Sequence, residues 1–134
     1  QKIMINYLRK LNYQVDLIDN GIKAIQFIYS IRYDLIIADI RLKGTPGWKV
    51  IECVRESESN AGTPLIVWSA FVNNSNDKEK YLAWGADDAL FKWCLYEVLE
   101  NKIQQCFLMA RYKRDFIYKF KAFQKKILEI YPID

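Results

Sequence analysis

Asp34-Leu35-Ile36-Ile37-Ala38-Asp39 is an almost unbroken apolar run with a carboxylate at each end. A strand with one wet face would alternate apolar and polar residues, and this one does not. It is expected to be covered on both faces, as strands of a parallel sheet are. Two shorter runs downstream read the same way, Pro64-Leu65-Ile66-Val67-Trp68 and Ala89-Leu90-Phe91. Upstream, Tyr13 to Ile18 reads as a short strand that ends in the turn residues Asp19-Asn20-Gly21.

Between these runs the apolar period changes from continuous to helical. Ile3, Tyr7 and Leu11, with Met4 and Leu8 beside them, predict a first helix over residues 2–11. Ile22, Ile25, Phe27, Ile28 and Ile31 predict the apolar face of a second. After the loop Gly44-Thr45-Pro46-Gly47, residues Trp48 to Glu56 read as a third helix, and Ser57 to Gly62 as a polar connection. Lys78 to Trp84 reads as a fourth, closed by Gly85, and a fifth starts near Leu95. Strand and helix therefore alternate, the pattern of an α/β doubly wound parallel sheet.

In such sheets the working crevice lies beyond the carboxyl ends of the strands. Asp39, Ser69 and Lys92 each stand immediately after an apolar run, so the fold would bring a carboxylate, a hydroxyl and an ammonium to one edge. The carboxylate could attack a phosphoryl group, while the other two hold the transferred oxygens and offset their charge. Taken singly, the three have plainer readings as a helix cap, a turn residue and a solvated lysine. Their joint occurrence at successive strand ends favours the site.

Composition narrows the chemistry further. The 134 residues, 51% hydrophobic, suit one domain, and the absence of histidine removes imidazole acid/base catalysis, histidine metal ligands and phosphohistidine from these residues. Neither a P-loop lysine motif nor GxGxxG occurs, which argues against an enzyme of another doubly wound family. Cys53, Cys94 and Cys106 form no CxxC pair and are read as reduced and buried. No apolar stretch of about 18 residues and no leader-like start is present, so a soluble, cytoplasmic protein without membrane insertion is expected.

The segments Tyr33 to Leu42 with Gly47, Pro64 to Ala70, and Gly85 to Lys92 resemble those of response-regulator receiver domains of two-component signalling, over residues 1–105. The resemblance implies a flavodoxin-like receiver fold and a regulatory, non-enzymatic role. It implies that Asp39 takes a phosphoryl group from a phosphohistidine on a sensor histidine kinase or histidine phosphotransfer protein, with Ser69 and Lys92 on phosphoryl oxygens. It also implies Mg2+ held by Asp39 and the backbone carbonyl of Arg41.

Four departures qualify that pattern. The family opens with a strand ending in an acidic metal-binding pair, whereas these residues open on what resembles the helix that follows, so a sheet short of one inner strand and weak or absent Mg2+ binding are expected. Trp93 follows Lys92 in place of proline, and a trans bond is expected there. Ala89 stands where a switch aromatic is usual, and Lys43 and Pro46 alter the loop after the phosphoacceptor. The missing acidic pair, Trp93 and Ala89 support an alternative, a pseudo-receiver that binds partners without phosphorylation.

Residues 106–134 read as an amphipathic helical extension. Phe116, Phe120, Phe123, Ile127 and Ile130 recur in alternating steps of four and three, the spacing of a coiled-coil seam. Such a helix could fold back on its own domain or pair two copies as a homodimer. Seven basic residues lie in this last quarter of the chain, with Tyr112, Tyr118 and Phe123 among them, and could meet an anionic partner. No recognised nucleic-acid motif accompanies them.

Overall fold

The computed structural model describes residues 2–39, 41–42, 45–69, 75–91, 94, 96–113 and 126–130. Strand and helix alternate as α1 (Lys2–Lys10), β1 (Gln14–Ile18), α2 (Gly21–Ser30), β2 (Leu35–Asp39), the two-residue strands β3 (Arg41–Leu42) and β4 (Thr45–Pro46), α3 (Gly47–Glu56), β5 (Leu65–Ser69), α4 (Ser75–Trp84), β6 (Asp88–Phe91), α5 (Tyr96–Lys113) and β7 (Lys126–Ile130). The five longer strands form one sheet in the order β1-β7-β2-β5-β6, all neighbours parallel. The doubly wound α/β architecture expected from the alternation is the one observed.

Each face of the sheet carries its own apolar layer. Ile36, Ala38, Leu65, Val67, Ala89, Leu128 and Ile130 meet α2, α3 and α4 through Ala24, Ile28, Val50, Ile51, Val54 and Tyr81. The alternate strand residues Val15, Leu35, Ile37, Ile66, Trp68 and Ile127 meet α1 and α5 through Leu8, Leu99, Ile103 and Cys106. Every residue of β2 and β5 is buried, which is why both runs lack polar alternation.

β7 departs most from the sequence reading. The helical seam through Ile127 and Ile130 is not formed; both residues lie in a strand that occupies the inner position between β1 and β2. The expected gap in the sheet is filled by this strand. The other seam positions, Phe116, Phe120 and Phe123, lie outside the described residues. β7 pairs with β1 from Gln14↔Lys126 to Ile18↔Ile130 and with β2 from Leu35↔Ile127 to Ala38↔Ile130. Its entry is clamped by Asp34, whose N–H donates to the Lys126 carbonyl at 2.7 Å while its Oδ2 accepts from the Lys126 N–H at 2.8 Å. The Tyr33 hydroxyl donates to Asp16 Oδ2 at 2.7 Å, tying the entry of β2 to β1 across the intervening strand. Burial and this bond raise the phenol pKa above its usual value.

Smaller differences concern helix phase. The predicted face of α2 included Ile22, which is 63% exposed, while Gly21, Ala24 and Ile28 are buried. Asn20 starts the helix by accepting from the N–H groups of Ile22 and Lys23. Gly21 lies so close to Thr45 that a Cβ there would come within 2.5 Å of the threonine Cβ, and this approach fixes which side of α2 turns inward. Of the cysteines, Cys53 and Cys106 are free and buried and Cys94 is free and partly exposed. Burial pushes the Cys106 thiol up to about 11, so it is an inert packing group.

The edge strand β6 is fastened to helices on both faces by Asp88. Its oxygens lie 2.8 Å from Lys78 Nζ on α4 and 2.6 Å from Lys102 Nζ on α5, and Oδ1 accepts from the Ala89 N–H at 2.8 Å. Burial favours the neutral acid, but the two ammonium groups and the amide outweigh it and hold the pKa below the ordinary carboxylate value. A depressed folded-state pKa gives stability that is fully present above the unfolded value of about 3.9 and is lost as pH falls through the folded value. Both lysines are partly solvated, so Asp88→Asn is expected to cost about 1–2 kcal/mol at neutral pH. Urea titrations at pH 7 and pH 3 check this: the gap between the two proteins should shrink in acid.

Candidate functional site at the carboxyl edge of the sheet

Asp39 closes β2 and Ser69 closes β5, and the two strands are neighbours. Asp39 is in register with Trp68, so Ser69 projects one residue further along the same edge. Both are buried, at 3% and 1% exposure. The local cause is the same for each: a parallel strand buried on both faces ends where a polar side chain first reaches the crevice. Both stand at the strand ends expected from the sequence. Lys92 follows β6, the next strand over, and itself lies outside the described residues, as does Trp93 with the peptide bond before it.

Past Asp39 the chain forms a small antiparallel hairpin, Arg41↔Pro46 and Leu42↔Thr45, before entering α3 at Gly47. Arg41 is thus in β3, two residues beyond Asp39, and Pro46 is the residue before α3. Lys43 lies outside the described residues. Ala89 is buried in β6 against the layer of α2, α3 and α4.

Sequence reasoning missed Glu129. It sits in the inner strand β7 with 1% exposure, level with Ile37 on β2 and Leu17 on β1. Alternation along the strand puts it on the face of Ile127, beneath α1 and α5, one pleat deeper than Asp39 on the neighbouring strand. The signal was present as the one charge interrupting Ile127-Leu128-Glu129-Ile130, and the helical reading of residues 106–134 did not single it out.

Magnesium prefers near-octahedral oxygen coordination, usually from one or two carboxylates together with waters and phosphoryl oxygens. Among the described residues no group of three acidic, cysteine or histidine side chains is placed to hold a metal ion. At the crevice the described residues offer the Asp39 carboxylate, and Glu129 lies below it in the apolar layer. The described residues do not by themselves make a magnesium site.

The model of the response regulator receiver domain matches residues 1–104. The chain belongs to this receiver family. Receiver relatives include the transcriptional regulatory protein PcoR of Escherichia coli, 40% identical over 99 residues, covering 74% of this chain and 42% of that protein. The sensor protein EvgS of Escherichia coli K12 is 30% identical over 104 residues, covering 77% of this chain and 8% of EvgS. The chain therefore spans less than half the length of these curated relatives. Among solved structures, the receiver domain of the sensor histidine kinase PA1611 from Pseudomonas aeruginosa superposes with a TM-score of 0.72 at 29% identity, covering 80% of this chain and 87% of that one. That crystal structure holds a magnesium ion coordinated in its active-site cleft. The family match ends at residue 104, ahead of β7, so the inner strand of this receiver sheet comes from outside the matched region. No described helix is long and apolar enough to cross a membrane.

Proposed function

We propose that this receiver domain accepts a phosphoryl group on Asp39 from a phosphohistidine of a sensor histidine kinase or histidine phosphotransfer protein. The observation that carries the proposal is the placement of Asp39 and Ser69 at the carboxyl ends of adjacent inner strands, in a chain whose family is a phosphoacceptor family. In the transfer, a carboxylate oxygen of Asp39 forms the new P–O bond while the P–N bond to the partner's imidazole breaks, and the bonding electron pair returns to that nitrogen. The Ser69 hydroxyl donates to a phosphoryl oxygen, and Lys92, the residue after β6 in sequence, supplies the balancing positive charge. The chain has no histidine, so the donor is necessarily another protein or another segment.

A second reading, an interaction module that signals without phosphorylation, is favoured because no group of three acidic, cysteine or histidine side chains among the described residues is placed to hold a metal ion. One experiment separates the two. Incubation with acetyl phosphate, with and without magnesium, followed by intact mass measurement, is expected to add one phosphoryl group to the wild type and none to Asp39→Asn. A wild type that stays unmodified at every magnesium concentration supports the second reading and rejects the first. Ser69→Ala is expected to slow the labelling by roughly tenfold or more, in line with the loss of one aligned donor to a developing charge.

A further inference from the structure

The outer surface of the layer formed by α2, α3 and α4 carries a groove of about 420 Å³ lined by Trp48, Glu52, Arg55, Glu56, Ala83 and Trp84. Trp48, Glu52 and Glu56 recur every fourth residue, so they form one stripe along α3. Trp48 is 45% exposed and forms one wall of the groove. Trp84, at the end of α4, packs on the core and forms the other wall.

The electrostatics of the groove are set by which charges are already committed. Arg55 is committed: its guanidinium donates to the carbonyls of Gly85 at 2.8 Å, Ala61 at 3.1 Å and Thr63 at 2.7 Å, and to Asp87 Oδ2 at 2.8 Å. It lines the groove with its donors already engaged on those carbonyls and on Asp87. Glu52 meets Lys49 at 2.9 Å, but both side chains are more than two-fifths exposed, so an incoming cation can replace that lysine at little cost. Glu56 is exposed and makes no ion pair among the described residues. The Trp84 ring already attracts a cation, because Lys80 Nζ lies 5.2 Å from its centroid.

We propose that this groove docks a basic segment of a partner protein through an arginine side chain, its guanidinium plane against the tryptophan walls and its N–H groups on Glu52 and Glu56. Arginine fits better than lysine because a planar guanidinium can stack on an indole and bond a carboxylate at the same time. An anionic partner would meet two carboxylates, and a purely apolar one would desolvate them without compensation. The surface lies on the outside of α3 and α4, so its occupation does not depend on chemistry at Asp39.

The test uses the full chain and the peptide acetyl-Gly-Arg-Gly-Arg-Gly-amide. Titration followed by the indole N–H signals in two-dimensional NMR is expected to shift Trp48 and Trp84 saturably and to leave the buried Trp68 in place. Glu52→Gln combined with Glu56→Gln is expected to weaken binding by about tenfold, close to 1.4 kcal/mol, and Trp48→Ala to do the same, with unfolding midpoints unchanged. Equal affinity in the double variant, or no saturable shift of the two indoles, overturns the proposal. So would tighter binding of an acidic or an uncharged apolar peptide of the same length. Shifts that depend on protein concentration alone and vanish in Trp48→Ala would assign the groove to a second copy of this chain and overturn it as well.

Discussion

Leu128→Asp is expected to abolish the cooperative unfolding transition of this domain. Leu128 lies in the inner strand with 0% exposure, between β1 and β2 and against the layer of α2, α3 and α4. Truncating such a residue costs about 2–5 kcal/mol, and placing a carboxylate in the same apolar layer adds several more. A domain stable by roughly 5–15 kcal/mol does not survive that. Leu128→Val is the matched control and is expected to cost about 0.5–1.5 kcal/mol, because it removes a single methylene and stays apolar. Far-UV circular dichroism during a urea titration distinguishes the outcomes. If residues 126–130 were a surface appendage, the aspartate variant would unfold at the wild-type midpoint.

The second large effect is expected at Asn60, which is fully buried although it sits in a connection. Its amide nitrogen donates to the carbonyls of Ile28 and Ile31 at the end of α2, the second at 2.7 Å, and its oxygen accepts from the Tyr33 N–H at 2.9 Å and the Thr63 hydroxyl at 3.0 Å. Ser57 supports the same turn by donating to the Ile28 carbonyl at 3.0 Å. One side chain thus closes the end of α2 and positions the entries of both β2 and β5, the strands that carry Asp39 and Ser69. Asn60→Leu leaves buried donors and acceptors unpaired and is expected to cost about 3–4 kcal/mol, from two or more orphaned groups at about 1–3 kcal/mol each. Denaturant titration measures it; a loss under about 1 kcal/mol would mean that the connection is solvated.

These two sites also show what the sequence could and could not reveal. β2 and β5 were legible because a strand buried on both faces needs an uninterrupted apolar run, and few other local structures do. Asp39 and Ser69 were legible for the same reason, as the first polar residues after those runs. Asn60 was not, because Ser57 to Gly62 has the composition of any polar loop, and only the packing of α2 against it turns its amide inward. β7 was misread for a more general reason. Ile127 and Ile130 fit a helical step of three, while Ile127, Leu128 and Ile130 equally fit a strand buried on both faces. A five-residue segment carries too little periodicity to choose. In the structure the segment pairs its backbone groups with β1 on one side and β2 on the other, and the Asp34 clamp holds its entry. Glu129 was hidden by the same ambiguity.

The inner strand β7 joins β1 to β2, and a sheet open between them would leave the strand bearing Asp39 exposed along one side. Amide hydrogen exchange of the intact chain, read residue by residue, tests this directly. The N–H groups of residues 127–130 are expected to exchange as slowly as those of Ile36 to Ala38 and Ile66 to Val67, through global unfolding. Exchange of residues 127–130 at the rate of an unstructured peptide, with the other strands still protected, would contradict it.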